Sequence, residues 1–159
     1  STPLNRCTRR RIETILMPQR TMGLRAFIHR MTAPKPGGAP PTGELKMVFI
    51  VNHGLKMGKG KIAAQVGHGA VKATLDAANR HPLLVESWLA SGQKKICVKG
   101  DDAAHLKTLE REAQRLKIPT ARIHDAGHTQ IPSGSLTVVA LGPADPSQLE
   151  PITGPLKLL

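Results

Sequence analysis

The chain has no tyrosine, two phenylalanines and one tryptophan, so aromatics make up 2% of its 159 residues. Proteins that grip single-stranded nucleic acid usually stack bases on aromatic platforms. With Phe27, Phe49 and Trp88 as the whole set, an RNA-handling role would have to work through phosphates and shape. Cysteine is equally scarce. Cys7 and Cys97 supply neither a disulfide framework nor the paired C-x-x-C of a zinc site, which points to a reducing compartment. Nor does any stretch approach the roughly 20 consecutive apolar residues of a membrane span, so no integral membrane segment is expected.

Acidic residues are few: 11 Asp and Glu face 23 Lys and Arg, a formal charge of +12 that favours a polyanionic partner. Residues 1–46 hold nine of the bases and two of the acids, which makes the N-terminal part the denser in charge. This tail breaks into Pro and Gly at APKPGGAPPTG, residues 33–43, which reads as a linker. Upstream, Leu24, Phe27, Ile28 and Met31 fall at helical spacing beside Arg25, His29 and Arg30. That is the basic amphipathic character of a mitochondrial transit segment, although an unstructured tail has the same composition. The expected organisation is a basic tail, residues 1–43, and one folded domain, residues 44–159, in a mitochondrial or cytoplasmic protein.

Within that domain the order of elements predicts an α/β fold. MVFIV at 47–51 is a continuous apolar run of the kind a buried strand needs. The Gly and Lys loop GLKMGKGK, residues 54–61, then leads into an Ala-rich helix reaching about Arg80. On this helix Ile62, Val66, Gly69, Ala73 and Ala77 form a face for close packing, and Lys61, Gln65, His68 and Lys72 a polar stripe. Pro82 opens a second helix that Gly92 ends. KICVK, residues 95–99, is a strand. Asp101 and Asp102 precede a third helix with an apolar stripe of Leu106, Leu109, Ala113 and Leu116. TARIH (120–124) and LTVVALG (136–142) are strands flanking the loop DAGHTQIPSGS, and a short helix is expected around Ser147 to Leu149. The result is a small mixed sheet of about four strands with helices on both faces.

A nucleotide-binding P-loop requires G-x-x-x-x-G-K-[ST], and GLKMGKGK does not meet it: three residues separate Gly54 from Gly58. The segment still places Lys56, Lys59 and Lys61 at a helix start, where amide N–H groups and the helix dipole favour an anion such as RNA phosphate. Seven histidines are present, but His124 and His128 straddle a Gly-containing loop and His68 stands alone on its helix, so no metal is expected. The loop from Asp125 to Ser135 is rich in polar groups, and also in ordinary turn residues. Its composition alone decides nothing.

Five blocks, in order, carry a resemblance: K-M-x-x-x-V at Lys46–Val51; L-K-M-G-K-G-K-x-A-A-Q at Leu55–Gln65, followed by His68; D-A-G-x-T-Q-I at Asp125–Ile131; G-S-x-T at Gly134–Thr137; and T-G-x-L-K-L at Thr153–Leu158. Over residues 44–159 the chain resembles the type 2 peptidyl-tRNA hydrolases. The resemblance implies hydrolysis of the ester joining peptide to tRNA, with no cofactor and with peptidyl-tRNA and a second copy of the chain as partners. By position it gives catalytic roles to Lys61, Asp125, Thr129 and Thr137, with Gln65 and His68 nearby, and substrate contacts to Lys56, Lys59, His128, Gln130 and Ser135. The chain departs from the pattern at Asn52, His53 and Gly54, where many members carry Arg-x-Asp, and at His128, where Arg is usual. Two expectations follow: an active esterase, or a divergent relative, weakly active or inactive, that binds tRNA, a ribosome or a protein.

Overall fold

A computed structural model describes residues 43–126 and 131–159. The transit-segment, linker and Cys7 readings for the tail therefore lie outside the described residues, as do His128, Thr129 and Gln130. Four strands form one sheet: β1 (Lys46–Asn52), β2 (Lys94–Gly100), β3 (Thr120–His124) and β4 (Leu136–Ala144), in the order β2-β1-β4-β3. β1 runs parallel to β2, and β4 is antiparallel to both β1 and β3. The strand ends of β1, β2 and β3 and the start of β4 consequently share one edge of the sheet. In open α/β sheets, ligands bind at the carboxyl ends of the strands.

Among the described residues four helices cover the two faces, as the sequence predicts. α1 (Lys59–Arg80) and α2 (Pro82–Ala90) lie on one side, over Met47, Phe49, Val51, Val138 and Ala140. α3 (Ala103–Arg115) and α4 (Pro146–Thr153) lie on the other, over Val48, Ile50, Val139 and Leu141. Alternate residues of β1 point to opposite faces, and both faces are covered; hence the unbroken apolar run that first marked the strand. His81 leaves helical geometry at φ −139°, because the proline after it disfavours the α conformation, and Pro82 then begins α2. Asp102 caps α3 by accepting from the His105 N–H at 2.8 Å.

Three local readings are corrected. α1 begins at Lys59, so Lys59 and Gly60 join Lys61 in its first turn and leave the preceding loop, which opens with a one-turn 3-10 helix, His53–Leu55. Leu116 is not part of the buried stripe of α3: it is the helix's C-cap residue and is exposed. Its place in the row goes to Glu110, buried and satisfied by Arg122 Nε from β3. The helix after β4 is longer than expected, held at its start by Asp145 Oδ1 accepting from Ser147 N–H at 2.8 Å.

Gly69 sets how near α1 lies to the sheet. A Cβ built there would stand 3.3 Å from Phe49 Cδ1, 3.5 Å from Val138 Cγ1 and 3.6 Å from Ile123 Cγ1. Gly67, on the same helix, faces open space. Gly69→Leu is therefore expected to lower the unfolding free energy by about 1–3 kcal/mol through overpacking. Gly67→Ala should raise it by about 0.5–1 kcal/mol through helix propensity. Urea denaturation of both variants measures the contrast, and equal effects would remove Gly69 from this role.

Candidate active site

The start of α1 breaks a stabilising rule. Helix N-termini carry partial positive charge and favour acids, yet the first turn here has no acidic residue and holds Lys59 and Lys61, with Lys56 just before it. Gly58 occupies the N-cap position and offers no side chain to the free amide N–H groups. Local choices that work against stability are expected where a site needs them.

Lys61 reaches across the sheet edge to Asp125, the residue after β3. Its Nζ donates to Asp125 Oδ1 at 2.8 Å, although 64 positions separate the two in the chain. Asp125 is 7% exposed. A carboxylate so buried is costly without a cation or several donors beside it, and the ammonium of Lys61 offsets that cost while remaining reachable from solvent. The backbone fixes the carboxylate in turn: Asp125 N–H donates to Ser135 O at 2.9 Å, and Gly134 N–H donates to Asp125 O at 2.9 Å.

Gln65 stands one turn after Lys61, and its place corrects the polar stripe. It is buried, in the same i, i+4 row as Gly69, Ala73 and Ala77. Thr137 Oγ1 lies 2.6 Å from Gln65 Oε1 and 3.0 Å from the Ile123 carbonyl oxygen. One hydroxyl hydrogen serves one acceptor at a time, and the carboxamide can turn to donate, so the groups form a chain from Gln65 through Thr137 to Ile123. Thr137 is 0% exposed. Its hydroxyl meets Gln65 and the Ile123 carbonyl beneath the surface, so it bears on the site through Gln65.

The remaining expected residues divide clearly. Lys56 (φ +51°) and Lys59 are exposed at the tip of α1. His68 is exposed on α1, two turns after the helix start. Ser135 uses its hydroxyl hydrogen within the turn, donating to Pro132 O at 2.7 Å, so it meets a ligand only as an acceptor. Lys72 pairs with Asp76 at 2.9 Å, away from the site. Among the described residues no three His, Cys, Asp or Glu side chains gather as a metal would require.

The departures at 52 and 54 have physical explanations. A Cβ at Gly54 would stand 2.7 Å from the Asp101 carbonyl oxygen, which accepts from Gly54 N–H at 2.9 Å, so this backbone admits no side chain there. Asn52 is 4% exposed and donates Nδ2–H to Leu136 O at 2.9 Å. Its Oδ1 has no partner among the described residues, a deficit of about 1–3 kcal/mol for a buried acceptor.

Asn52 also lines a cleft of about 670 Å³ on the other flank of α1's first turns. The walls are Val51, Met57, Ile62, Val66 and Cys97, with Leu159 closing one side. Lys56, Lys59 and Lys99 supply its cations, with the His53 imidazole beside them. Burial pushes the Cys97 thiol up from its ordinary value. Sequence reading missed Asn52, Cys97 and Lys99 as site residues; the one signal was the irregularity at Asn52, since the pairing of β1 with β2 that brings the others alongside is tertiary.

Residues 45–159 match the family described as peptidyl-tRNA hydrolase PTH2. The chain is 50% identical over 114 residues to a Drosophila melanogaster protein named probable peptidyl-tRNA hydrolase 2, an alignment covering 72% of this chain and 61% of that one. It is 44% identical over 115 residues to the peptidyl-tRNA hydrolase of Methanocaldococcus jannaschii, covering 72% of this chain and 100% of that one. A Bos taurus relative named peptidyl-tRNA hydrolase 2, mitochondrial, is 44% identical over 117 residues, 74% of this chain and 65% of that one.

Thr137→Val removes a buried hydroxyl and strands the Gln65 carboxamide. The expected cost is about 1–3 kcal/mol of stability, read as a lower urea midpoint at unchanged slope. A midpoint equal to that of the parent would show that the Gln65–Thr137 contact holds nothing together.

Proposed function

This chain belongs to the peptidyl-tRNA hydrolase PTH2 family, and on that premise we propose that it hydrolyses the ester between peptide and tRNA, releasing both. The observation that carries the reading is the Lys61–Asp125 pair, 2.8 Å apart at the uncapped start of a helix. Water is the nucleophile. Asp125 orients it and accepts a proton as the oxygen attacks the carbonyl carbon. Lys61 and the first amides of α1 stabilise the negative charge that develops on the carbonyl oxygen or lies on the terminal phosphate. The ester C–O bond then breaks, and the leaving ribose oxygen takes up a proton to become the tRNA hydroxyl.

Gln65 is the positioning group beside Lys61, steadied by Thr137 from beneath. Thr129, His128 and Gln130 are assigned to water and substrate by resemblance, with His68 nearby. Lys56 and Lys59 take backbone phosphates. The reaction needs no metal or cofactor. Residues 44–159 carry the activity, residues 1–43 form a targeting tail, and two copies pair as a homodimer. The name of the cattle relative supports a mitochondrial place for this chain, with the cytoplasm as the alternative.

Purified full chain should release peptide from a defined peptidyl-tRNA, at a rate that EDTA leaves unchanged. Asp125→Asn is expected to lower kcat by about 10²–10⁴-fold, and Lys61→Met by about 10²–10³-fold. Binding should weaken as salt rises, because lysine–phosphate contacts release counterions. Tight binding without turnover would sink the esterase reading in favour of a binding module, and full activity in Asp125→Asn would remove the pair from the mechanism.

A further inference from the structure

We propose that the cleft beside α1 is the seat of the substrate's 3′-terminal adenosine, its base against the aliphatic wall and its N6 amine donating to Asn52 Oδ1. The inference rests on the hydrolase reading above. It names which part of the substrate the cleft selects.

Three observations converge. The first is charge. His53, Lys56, Lys59 and Lys99 surround an apolar wall, and no carboxylate side chain is among the described residues that line it. An apolar wall ringed by cations suits a ligand that is flat and apolar at one end and anionic at the other. The terminal nucleoside with its 5′-phosphate has that form. The peptide side of the ester does not, because esterification has removed the charge of its carboxyl group.

The second is the unmet acceptor. Asn52 is 4% exposed, lines the cleft, and is held by its donation to Leu136 O, which fixes Oδ1 as the atom left without a partner among the described residues. A hydrocarbon side chain in the cleft would leave that oxygen unsatisfied. Adenine presents an N6–H₂ donor, and flipped or single-stranded bases are held by contacts to this edge between apolar side chains. Oδ1 itself has almost no accessible surface. Engagement therefore involves a small movement of the single turn His53–Leu55, because a Cβ at its Gly54 would stand only 3.3 Å from Oδ1.

The third is placement. Lys59 and Ile62 border the cleft, and Lys61 on the same turn of α1 holds Asp125. The two sites are separated by the width of one helix, about 10 Å. A ribose over the tip of α1 would carry its ester on the Lys61 side and its base on the cleft side. The cleft volume of about 670 Å³ is in the range of pockets that hold small organic ligands.

Cys97 in the cleft wall reports occupancy without any need for turnover. In the full chain carrying Cys7→Ser, Cys97 is the remaining thiol, and its alkylation by iodoacetamide at alkaline pH can be followed by mass spectrometry. The trinucleotide CpCpA should slow that alkylation. The same trinucleotide ending in purine riboside, which lacks the N6 amine, should need about tenfold more to do so, a difference of one buried hydrogen bond. Asn52→Ala should abolish the discrimination. Ala63→Trp, on an exposed lining position of α1, should block protection by both and raise KM for peptidyl-tRNA with little change in kcat. It serves where Asn52→Ala fails to fold.

Equal protection by the two trinucleotides would overturn the role of Asn52. Protection by N-acetyl-leucine methyl ester with none from CpCpA would give the cleft to the peptide and overturn the proposal. Hydrolysis of peptidyl-tRNA without any protection of Cys97 would sink this inference and leave the hydrolase reading standing. Protection without hydrolysis would do the reverse.

Discussion

The site depends on how closely α1 lies against the sheet. Gly69 has no side chain to hold the helix off Phe49 and Val138, and the row Gln65, Gly69, Ala73 and Ala77 is buried as a consequence. Small residues let two backbones approach. Here they do so along a helix whose first turn overhangs the ends of β1 and β3, and that overhang brings Lys61 within reach of Asp125. A side chain at position 69 would lift the helix where Gln65 meets Thr137 and Lys61 meets Asp125.

The same helix divides two environments. On one flank a buried carboxylate is held by an ammonium and a clamped backbone. On the other is an aliphatic cleft ringed by cations. Low dielectric strengthens the charge interactions on the first flank, and the apolar wall of the second rewards a flat ligand face. Between them the free amides at the start of α1 offer a place for negative charge. One helix terminus is thus shared by chemistry and recognition.

Much of this was legible in the sequence, for reasons that differ by element. MVFIV announced β1 because a strand covered on both faces must be apolar throughout, and Pro82 announced a helix start because its ring fixes the backbone. Lys61 and Asp125 came from motif blocks, and the structure joins them by a hydrogen bond across 64 positions. Gln65 was read into a polar stripe with His68 and Lys72, whereas it is buried in the row of Gly69, where the hydroxyl of Thr137 meets its carboxamide. Leu116 was read as core from its spacing, but the helix ends beneath it. The cleft was invisible. Its walls come from β1, β2, α1 and the last residue, and only the register of Lys46 with Lys94 through Asn52 with Gly100 brings them together.

Residues 157–159 have a double office. Lys99 N–H donates to Lys157 O and Leu159 N–H donates to Cys97 O, so this short segment pairs with the outer edge of β2 while Leu159 closes the side of the cleft. An open sheet edge invites pairing with another chain, and here the cover for that edge is also a wall of the pocket. So short a strip, joined to β2 by two backbone hydrogen bonds, opens at lower cost than the core strands. Cover of the strand edge and the width of the cleft are therefore linked: whatever loosens the strip exposes that edge and widens the pocket in one event.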